Sequence, residues 1–316
     1  MIGLCKQNFW ITRWLLAQAH VPSIAVGFEG GKVDDISKET SLEGRVALVT
    51  GGGAGIGRGI SVALAAHGAK VVIAEIDPAR AAQTQEIIES SGGVAVAAIT
   101  DVMDTDQIRS AVDLAESTYG GLDILINNAG GVAGKNFIDQ SERSWRRHID
   151  INLVSMLAAT HAGAHLMIKG GRGGSIVNIT SIEGSRAAPK YAVYSACKAG
   201  MINFTRTMAL ELAEYGIRVN CLAPDITRTP GMHGWMSGPV DEEELKRAQG
   251  IPATSIQSYV PLGREGDTKD LGNAAVFLCS NMASYITGAI IPVDGGTWAS
   301  AGWTRTPDNS GWRLQY

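Results

Sequence analysis

Tyr194 and Lys198 stand four residues apart in a segment with a helical pattern, so both side chains lie on one helix face. A phenol normally loses its proton near pH ~10, and a neighbouring cation favours the phenolate. The pair can therefore accept a proton closer to neutral pH if a cofactor binds beside that face. Alone, this spacing is more often a packed ring and a solvated charge, so the rest of the chain has to supply the cofactor site.

A glycine-rich loop supplies that site. Residues 46–49 form a short apolar run of strand length, residues 50–57 read TGGGAGIG, and an apolar-periodic helix follows. In this context the backbone approaches a pyrophosphate and the helix N-terminus presents free N–H groups. Glu75 ends the next strand. Its separation along the sequence from the glycine loop is close to that of the carboxylate that accepts from the adenosine ribose hydroxyls in dinucleotide-binding folds. This favours NAD over NADP, although Arg80 is near enough to leave NADP open.

The remaining pattern alternates strands with helices from residue 44 to residue 296. It predicts an α/β fold, a doubly wound Rossmann fold with a seven-stranded, mostly parallel sheet and helices on both faces. We expect an N-terminal extension at 1–41, a single dinucleotide-binding and catalytic domain at 42–296, and a C-terminal tail at 297–316.

Composition narrows the possible partners. A net charge of −4 across 316 residues gives no electrostatic case for nucleic acid or an anionic membrane. The four cysteines lie far apart, which indicates neither a metal site nor a disulfide framework and favours a reducing cytoplasm. The apolar stretch near residues 9–16 is interrupted by Arg13 and is too short to span a bilayer.

Seven motifs occur in order on the predicted elements, and together they are specific. The chain resembles the short-chain dehydrogenases/reductases, in the branch with a compact single domain, over about residues 42–296. The resemblance rests on the glycine loop 50–57, Asp101, Asn127 to Gly130, Asn152, Ser181, Tyr194 with Lys198, and Arg218 to Pro224.

The resemblance implies a set of catalytic roles. Tyr194 is the general acid/base, and Lys198 lowers the pKa of Tyr194 and bonds the nicotinamide ribose. Ser181 orients the substrate oxygen, and Asn152 holds a water that links Lys198 to solvent. Two alternatives stay open: Asn152 only bends its helix, or Thr180 takes the place of Ser181.

The same resemblance implies the cofactor contacts. These residues are expected around the pyrophosphate, beside the adenine, along the cofactor cleft and at the nicotinamide. They are Gly51, Gly55, Ile56, Gly57, Glu75, Asp101, Val102, Asn128, Ala129, Gly130, Tyr194, Lys198, Pro224 and Thr229.

The pair Pro224 and Asp225 departs from the family, which usually has Pro-Gly there. Asp225 either turns away and caps the next turn, or joins Glu183 in making one side of the pocket acidic. The second interpretation selects a substrate with several hydroxyls or an amine.

The segment 229–262 is a second departure, because it is longer than the family's usual substrate loop. Met232 and Trp235 belong to an apolar, adaptable stretch of it, and we expect them to line the substrate site. The segment either folds over the active site as a lid or packs on a neighbouring subunit.

Taken together, the sequence predicts an NAD-dependent oxidoreductase that interconverts a secondary alcohol and a ketone. The alternatives are a non-catalytic dinucleotide-binding regulator or scaffold, and an epimerase or dehydratase of the family's extended branch. By resemblance we expect a cytoplasmic homotetramer or homodimer that binds a small-molecule substrate and no metal.

Overall fold

The computed structural model describes residues 36–308 and 310–314. The chain divides into the units Met1–Ile36 and Ser37–Tyr316, and the account below concerns the second. A one-turn helix, Ile36–Glu39, lies at the division. Most of the predicted extension 1–41 is outside the described residues, and the division into three segments stays a prediction.

Seven parallel strands form the main sheet, in the order β3-β2-β1-β4-β5-β6-β7. From β1 the chain runs outward through β2 to β3, and it then returns to the other side of β1 with β4. This arrangement confirms the predicted doubly wound Rossmann fold. The strands are β1 Val46–Thr50, β2 Lys70–Glu75, β3 Val94–Ile99, β4 Ile124–Asn127, β5 Gly174–Ile179, β6 Ile217–Pro224 and β7 Ile290–Val293.

Helices cover both faces of the sheet. They are α1 Gly55–Ala66, α2 Pro78–Ser90, α3 Thr105–Tyr119, α4 Glu142–Ile149, α5 Ser155–Gly170, α6 Ala192–Glu211, α7 Glu242–Arg247, α8 Ala253–Tyr259, α9 Thr268–Cys279 and α10 Thr297–Ser300. Helix α8 and a small antiparallel hairpin, β8 Trp303–Arg305 with β9 Trp312–Leu314, were not predicted from the sequence.

Side-chain alternation along β1 explains the two layers. Ala47 and Val49 join the core on the side of α1 and α9, whereas Val46 and Leu48 join the core on the side of α3 and α5. Successive strand residues point to opposite faces, so a strand that is apolar throughout is buried on both. This accounts for the continuous apolar runs that marked the strands in the sequence.

The sequence predicts one uninterrupted helix over 141–168, and the structure differs there. A π-helical turn, Asp150–Val154, separates α4 from α5. Such turns insert one residue into an α-helix and are frequent at functional sites. Here the turn carries Asn152, which is fully buried.

The stretch Glu142–Gly170 is also the one helix in the described part of the chain that is long and apolar enough to cross a membrane. In its most apolar window 44% of the residues are buried inside the protein. Ala159 and Met167 belong to the core on the side of α3 and α5, and Met156 packs in a smaller cluster with Met201 and Cys221, which is the arrangement of a core helix.

Candidate active site

Tyr194 and Lys198 lie in the first two turns of α6, beside the end of β5. The side chain of Lys198 is buried, and its Nζ donates to the carbonyl oxygen of Ile179 at 2.8 Å. The Nζ atom is 5.5 Å from the centroid of the Tyr194 ring. The helix spacing therefore brings the two groups together as the sequence predicts.

The pKa of Tyr194 moves in the direction opposite to the sequence prediction. Burial raises this pKa, a hydrogen bond with the Ser181 hydroxyl lowers it, and the negative charges of Glu183 and Asp225 raise it further. Burial also lowers the pKa of Lys198 to about 8. The loss of solvation of the Tyr194 phenol therefore sets the direction in which its pKa moves. The Lys198 ammonium is itself buried and is directed at a backbone carbonyl.

Ser181 and Thr180 have clearly different surroundings. The Thr180 hydroxyl donates to the carbonyl of Lys198 at 3.0 Å, so it ties β5 to α6. Ser181 precedes the 3₁₀ turn Ile182–Gly184, and its Oγ accepts from the Glu183 N–H at 3.2 Å. Of the two hydroxyls, that of Ser181 is the one that lowers the pKa of the Tyr194 phenol.

Asn152 fastens the π turn to the loop that follows β4. Its Nδ2 donates to the carbonyls of Gly131 at 2.8 Å and His148 at 3.0 Å, and its Oδ1 accepts from the Gly131 N–H at 3.2 Å. A Cβ added to Gly130 would lie 2.8 Å from Asn152 Oδ1 and 3.7 Å from Lys198 Nζ. The space beside Gly130 is thus shared by the amide of Asn152 and the ammonium of Lys198.

The glycine loop between β1 and α1 has the shape that a pyrophosphate requires. A Cβ at Gly57 would lie 2.0 Å from the Gly51 carbonyl oxygen, so only glycine fits. The Asn128 side chain donates to the carbonyls of Thr50 and Gly51 at 2.9 and 3.1 Å, and thereby joins the loop to the end of β4. The first turn of α1 has no side-chain cap, which leaves its N–H groups for an anion.

Other predicted cofactor residues lie at the same edge of the sheet. Asp101 and Val102 directly follow β3, and Pro224 ends β6. The Ala129 N–H donates to the Thr50 hydroxyl at 3.1 Å. Thr229 reaches the glycine loop, since a Cβ on Gly55 would lie 3.3 Å from its side chain.

Glu75 is buried at the end of β2 and held by backbone N–H groups. Its carboxylate accepts from Gly53 at 3.0 Å, from Ile76 at 3.0 Å and from Asp77 at 3.2 Å. A Cβ on Gly53 would lie 2.5 Å from the Glu75 side chain, so the glycine is what allows the carboxylate to sit against the loop.

Arg80, the basic residue that left NADP open, is occupied by the long segment after β6. Its Nε donates to the Gly238 carbonyl at 2.9 Å and its Nη2 to the Trp235 carbonyl at 2.8 Å. The Gly238 N–H donates in turn to Asp77 Oδ2 at 2.6 Å. The segment therefore docks on the first turn of α2, beside Glu75.

Met232 and Trp235 of this segment are predicted to line the substrate site, and that role stays a prediction. Trp235 lies on the α2 side of the segment, and Met232 is half-exposed in the turn Pro230–His233. A buried guanidinium, that of Arg58, adds a further tie through Glu242 at 2.9 Å. Sequence reasoning assigned neither Arg58 nor Arg80 to holding this segment.

Four polar side chains form a cluster beside Tyr194. Arg186 Nη2 donates to Glu183 Oε1 at 2.7 Å and to the Tyr259 hydroxyl at 2.6 Å. The Tyr259 hydroxyl donates to Asp225 Oδ2 at 2.9 Å, and Asp225 is 3.9 Å from Arg186. Burial works against the charge of Arg186, but the hydrogen bonds to Glu183 and Tyr259 raise its pKa.

The cluster decides between the two interpretations of Asp225. Its carboxylate takes part in the cluster rather than in capping a turn, and its charge reaches Tyr194. Two carboxylates share one guanidinium, which leaves one negative charge in excess. Glu183 Oε2 is buried and has no hydrogen-bond partner in the described part of the chain.

Known proteins with this sequence pattern are oxidoreductases. Residues 51–297 match a family model described as enoyl-(acyl carrier protein) reductase. The chain is 38% identical over 256 residues to a 3-oxoacyl-(acyl-carrier-protein) reductase of Chlamydia muridarum, covering 81% of this chain and 98% of that protein. It is 38% identical over 265 residues to a galactitol 2-dehydrogenase of Agrobacterium fabrum, covering 82% and 99%.

Solved structures agree with the sequence comparison. A 7α-hydroxysteroid dehydrogenase complexed with NADH and 7-oxo glycochenodeoxycholic acid superimposes with a TM-score of 0.73 at 34% identity, over 82% of this chain and 96% of that one. Another solved relative, a gluconate 5-dehydrogenase of Burkholderia cenocepacia, is in complex with NADP and tartrate. This chain therefore belongs to the short-chain dehydrogenase/reductase family and is a dinucleotide-dependent oxidoreductase of alcohols and ketones.

Proposed function

We propose that the protein interconverts a polyhydroxylated secondary alcohol and its ketone with NAD, using Tyr194 as general acid/base. The observation that carries the proposal is the cluster beside the phenol, where the buried Glu183 Oε2 lacks a partner. An unpaired buried carboxylate oxygen costs free energy, and a substrate hydroxyl can satisfy it. The galactitol 2-dehydrogenase among the relatives supports a sugar alcohol.

The residues of the chain have separate tasks in this reaction. A nicotinamide dinucleotide held by the glycine loop and Glu75 would supply hydride transfer to or from the substrate carbon. The Tyr194 phenol gives a proton to the ketone oxygen in reduction and takes it from the alcohol in oxidation. Ser181, whose hydroxyl lowers the pKa of the phenol, orients the substrate oxygen. Lys198 and Asn152, which share the space beside Gly130, hold the path by which the proton reaches solvent.

The preference for NAD rests on Glu75 and Arg80. A buried carboxylate at the end of β2 accepts from the ribose hydroxyls and repels a 2′-phosphate. Two of the five N–H donors of Arg80 already donate to the carbonyls of Trp235 and Gly238, which holds its guanidinium on the long segment. Since solved relatives hold either NADH or NADP, the preference is a property of these residues and not of the family.

The function is tested by following NADH formation with a panel of sugar alcohols and simple cyclic alcohols. We expect turnover with sugar alcohols, and Tyr194→Phe to lower kcat by about 10²-fold or more. Tyr191→Phe is the matched control, because Tyr191 begins the same helix but has no lysine four residues later. Dinucleotide binding without turnover on any alcohol or ketone would instead favour a regulator.

Substrate and cofactor choice need separate measurements. At a fixed pH, Asp225→Gly and Glu183→Ala should lower the ratio of kcat/KM for the sugar alcohol to kcat/KM for a simple cyclic alcohol, because their effect on the pKa of Tyr194 is common to both substrates. Unchanged specificity in both variants would remove the polyol assignment but not the reaction class. For the cofactor, kcat/KM should be higher with NAD than with NADP, and equal values would contradict the role given to Glu75.

The cellular location and the assembly stay predictions. We propose a cytoplasmic homotetramer or homodimer on the strength of the family resemblance. Helices α5 and α6 leave apolar side chains exposed, among them Leu157 and Leu210, which supports an interface on these helices.

A further inference from the structure

A second polar cavity lies at the opposite edge of the sheet from Tyr194. Its volume is about 490 Å³, within the range of small-molecule sites. Three arginines and one aspartate line it: Arg45 precedes β1, Asp123 precedes β4, Arg172 precedes β5, and Arg218 is the second residue of β6. Parallel strands bring their amino ends to one edge, so these four side chains converge although they are far apart in sequence.

Asp123 is fully used by its neighbours. It is 1% exposed, and it accepts from Arg172 Nε at 2.9 Å, from Arg172 Nη2 at 3.0 Å and from the Val46 N–H at 2.9 Å. Arg45 Nη1 lies 3.6 Å from the same carboxylate. One carboxylate thus serves two guanidinium groups and a backbone donor, which leaves no acceptor for a third arginine.

Arg218 is the guanidinium without a counter-charge. Its hydrogen bonds go to the carbonyls of Ile286 at 3.3 Å and Ser280 at 3.4 Å, both near the limit for such bonds. Burial lowers its pKa, and the charge of Arg45 lowers it further. No carboxylate among residues 36–308 and 310–314 forms an ion pair with it.

We propose that this cavity, defined by Arg45, Arg172 and Arg218, binds a small oxyanion that carries phosphate or carboxylate groups. Three guanidinium groups and one carboxylate leave an excess of two positive charges, and a partly buried excess charge is stabilised by an ionic partner. The donors of Asn281, Ser284 and Thr287 lie on the same cavity wall. The ligand is thus a small dianion, and its site is separate from the dinucleotide site at the other edge.

The test is calorimetric titration of the full chain with inorganic phosphate and, separately, with succinate. Ionic strength is held constant with chloride, and a saturating mixture of NAD and NADP prevents binding at the glycine loop. We expect saturable binding of at least one of the two anions at one site per chain. Phosphate alone would identify a phosphoryl ligand, and binding of both would identify a general oxyanion site.

Variants assign the binding to the cavity. Arg218→Gln should weaken it about tenfold or more. Arg45→Gln, at a side chain that is 39% exposed, should weaken it likewise. Arg143→Gln removes the same charge from an exposed position on α4 and should leave the affinity unchanged. No saturable binding of either anion, or wild-type affinity in both cavity variants, would overturn the proposal.

Discussion

The two edges of the sheet carry ionic clusters of opposite excess charge. At the carboxyl edge, Glu183 and Asp225 share Arg186, which leaves one negative charge beside Tyr194. At the amino edge, Asp123 pairs with Arg45 and Arg172, and together with Arg218 this leaves two positive charges in excess. Each cluster keeps one group poorly satisfied, an acceptor at the first edge and a donor at the second.

The two clusters act on different parts of the molecule. The negative charge of the carboxyl-edge cluster raises the pKa of Tyr194, and it can therefore alter proton transfer. The amino-edge cluster touches backbone ends, since Asp123 accepts from the N–H of Val46 at the start of β1. We therefore expect changes at the first edge to alter catalysis and changes at the second to alter stability.

The largest effect is expected from Lys198→Met. The variant removes the buried ammonium beside the Tyr194 ring, and kcat should fall by about 10²-fold or more. A buried lysine replaced by an apolar side chain of similar length no longer bears the cost of a buried charge, so the free energy of unfolding should not fall. Steady-state kinetics and urea unfolding of the same preparation check both parts. A loss of stability that matched the loss of activity would erase the distinction between the two edges.

The opposite outcome is expected from Asp123→Asn. The variant removes the carboxylate that Arg172 and Arg45 share, and it weakens the acceptor of the Val46 N–H. The free energy of unfolding should fall by about 1–3 kcal/mol, the cost of leaving buried partners poorly satisfied. Values of kcat/KM measured below the unfolding midpoint should match the wild type. Reduced activity in a fully folded sample would show that the amino edge also acts on the chemistry.

Most residues of the candidate active site can be predicted from the sequence, because they form motifs of residues that are close together in the chain. A glycine loop between a strand and a helix, and a tyrosine with a lysine one turn later, are spacings within single elements. Glu75 is readable for the same reason, since it ends the strand after that loop. These residues lie where the sequence predicts, and the parallel strand order follows from the alternation of elements.

The parts that the sequence does not predict depend on contacts across the fold. Arg80 is an ordinary helix residue in sequence, and its bonds to Trp235 and Gly238 arise only when the long segment docks on α2. Tyr259 joins Asp225 through α8, a short helix with no strong periodic pattern. The π turn at Asn152 has no sequence signal beyond a polar residue on an apolar helix face, and the direction of the Tyr194 pKa depends on burial.

The smallest effect is expected from Glu183→Gln, and it is a displacement of the pH profile. The negative charge of Glu183 raises the pKa of Tyr194, so its removal lowers that pKa, although burial keeps it above the usual range. Alcohol oxidation requires the tyrosinate, and its kcat/KM should therefore rise at lower pH in the variant. Ketone reduction requires the protonated phenol, and its rate should begin to fall at lower pH.

Glu116→Gln, which removes a carboxylate from α3, is the control and should leave both pH profiles unchanged. A profile that stayed unchanged in Glu183→Gln would mean that the carboxyl-edge cluster acts on substrate binding alone.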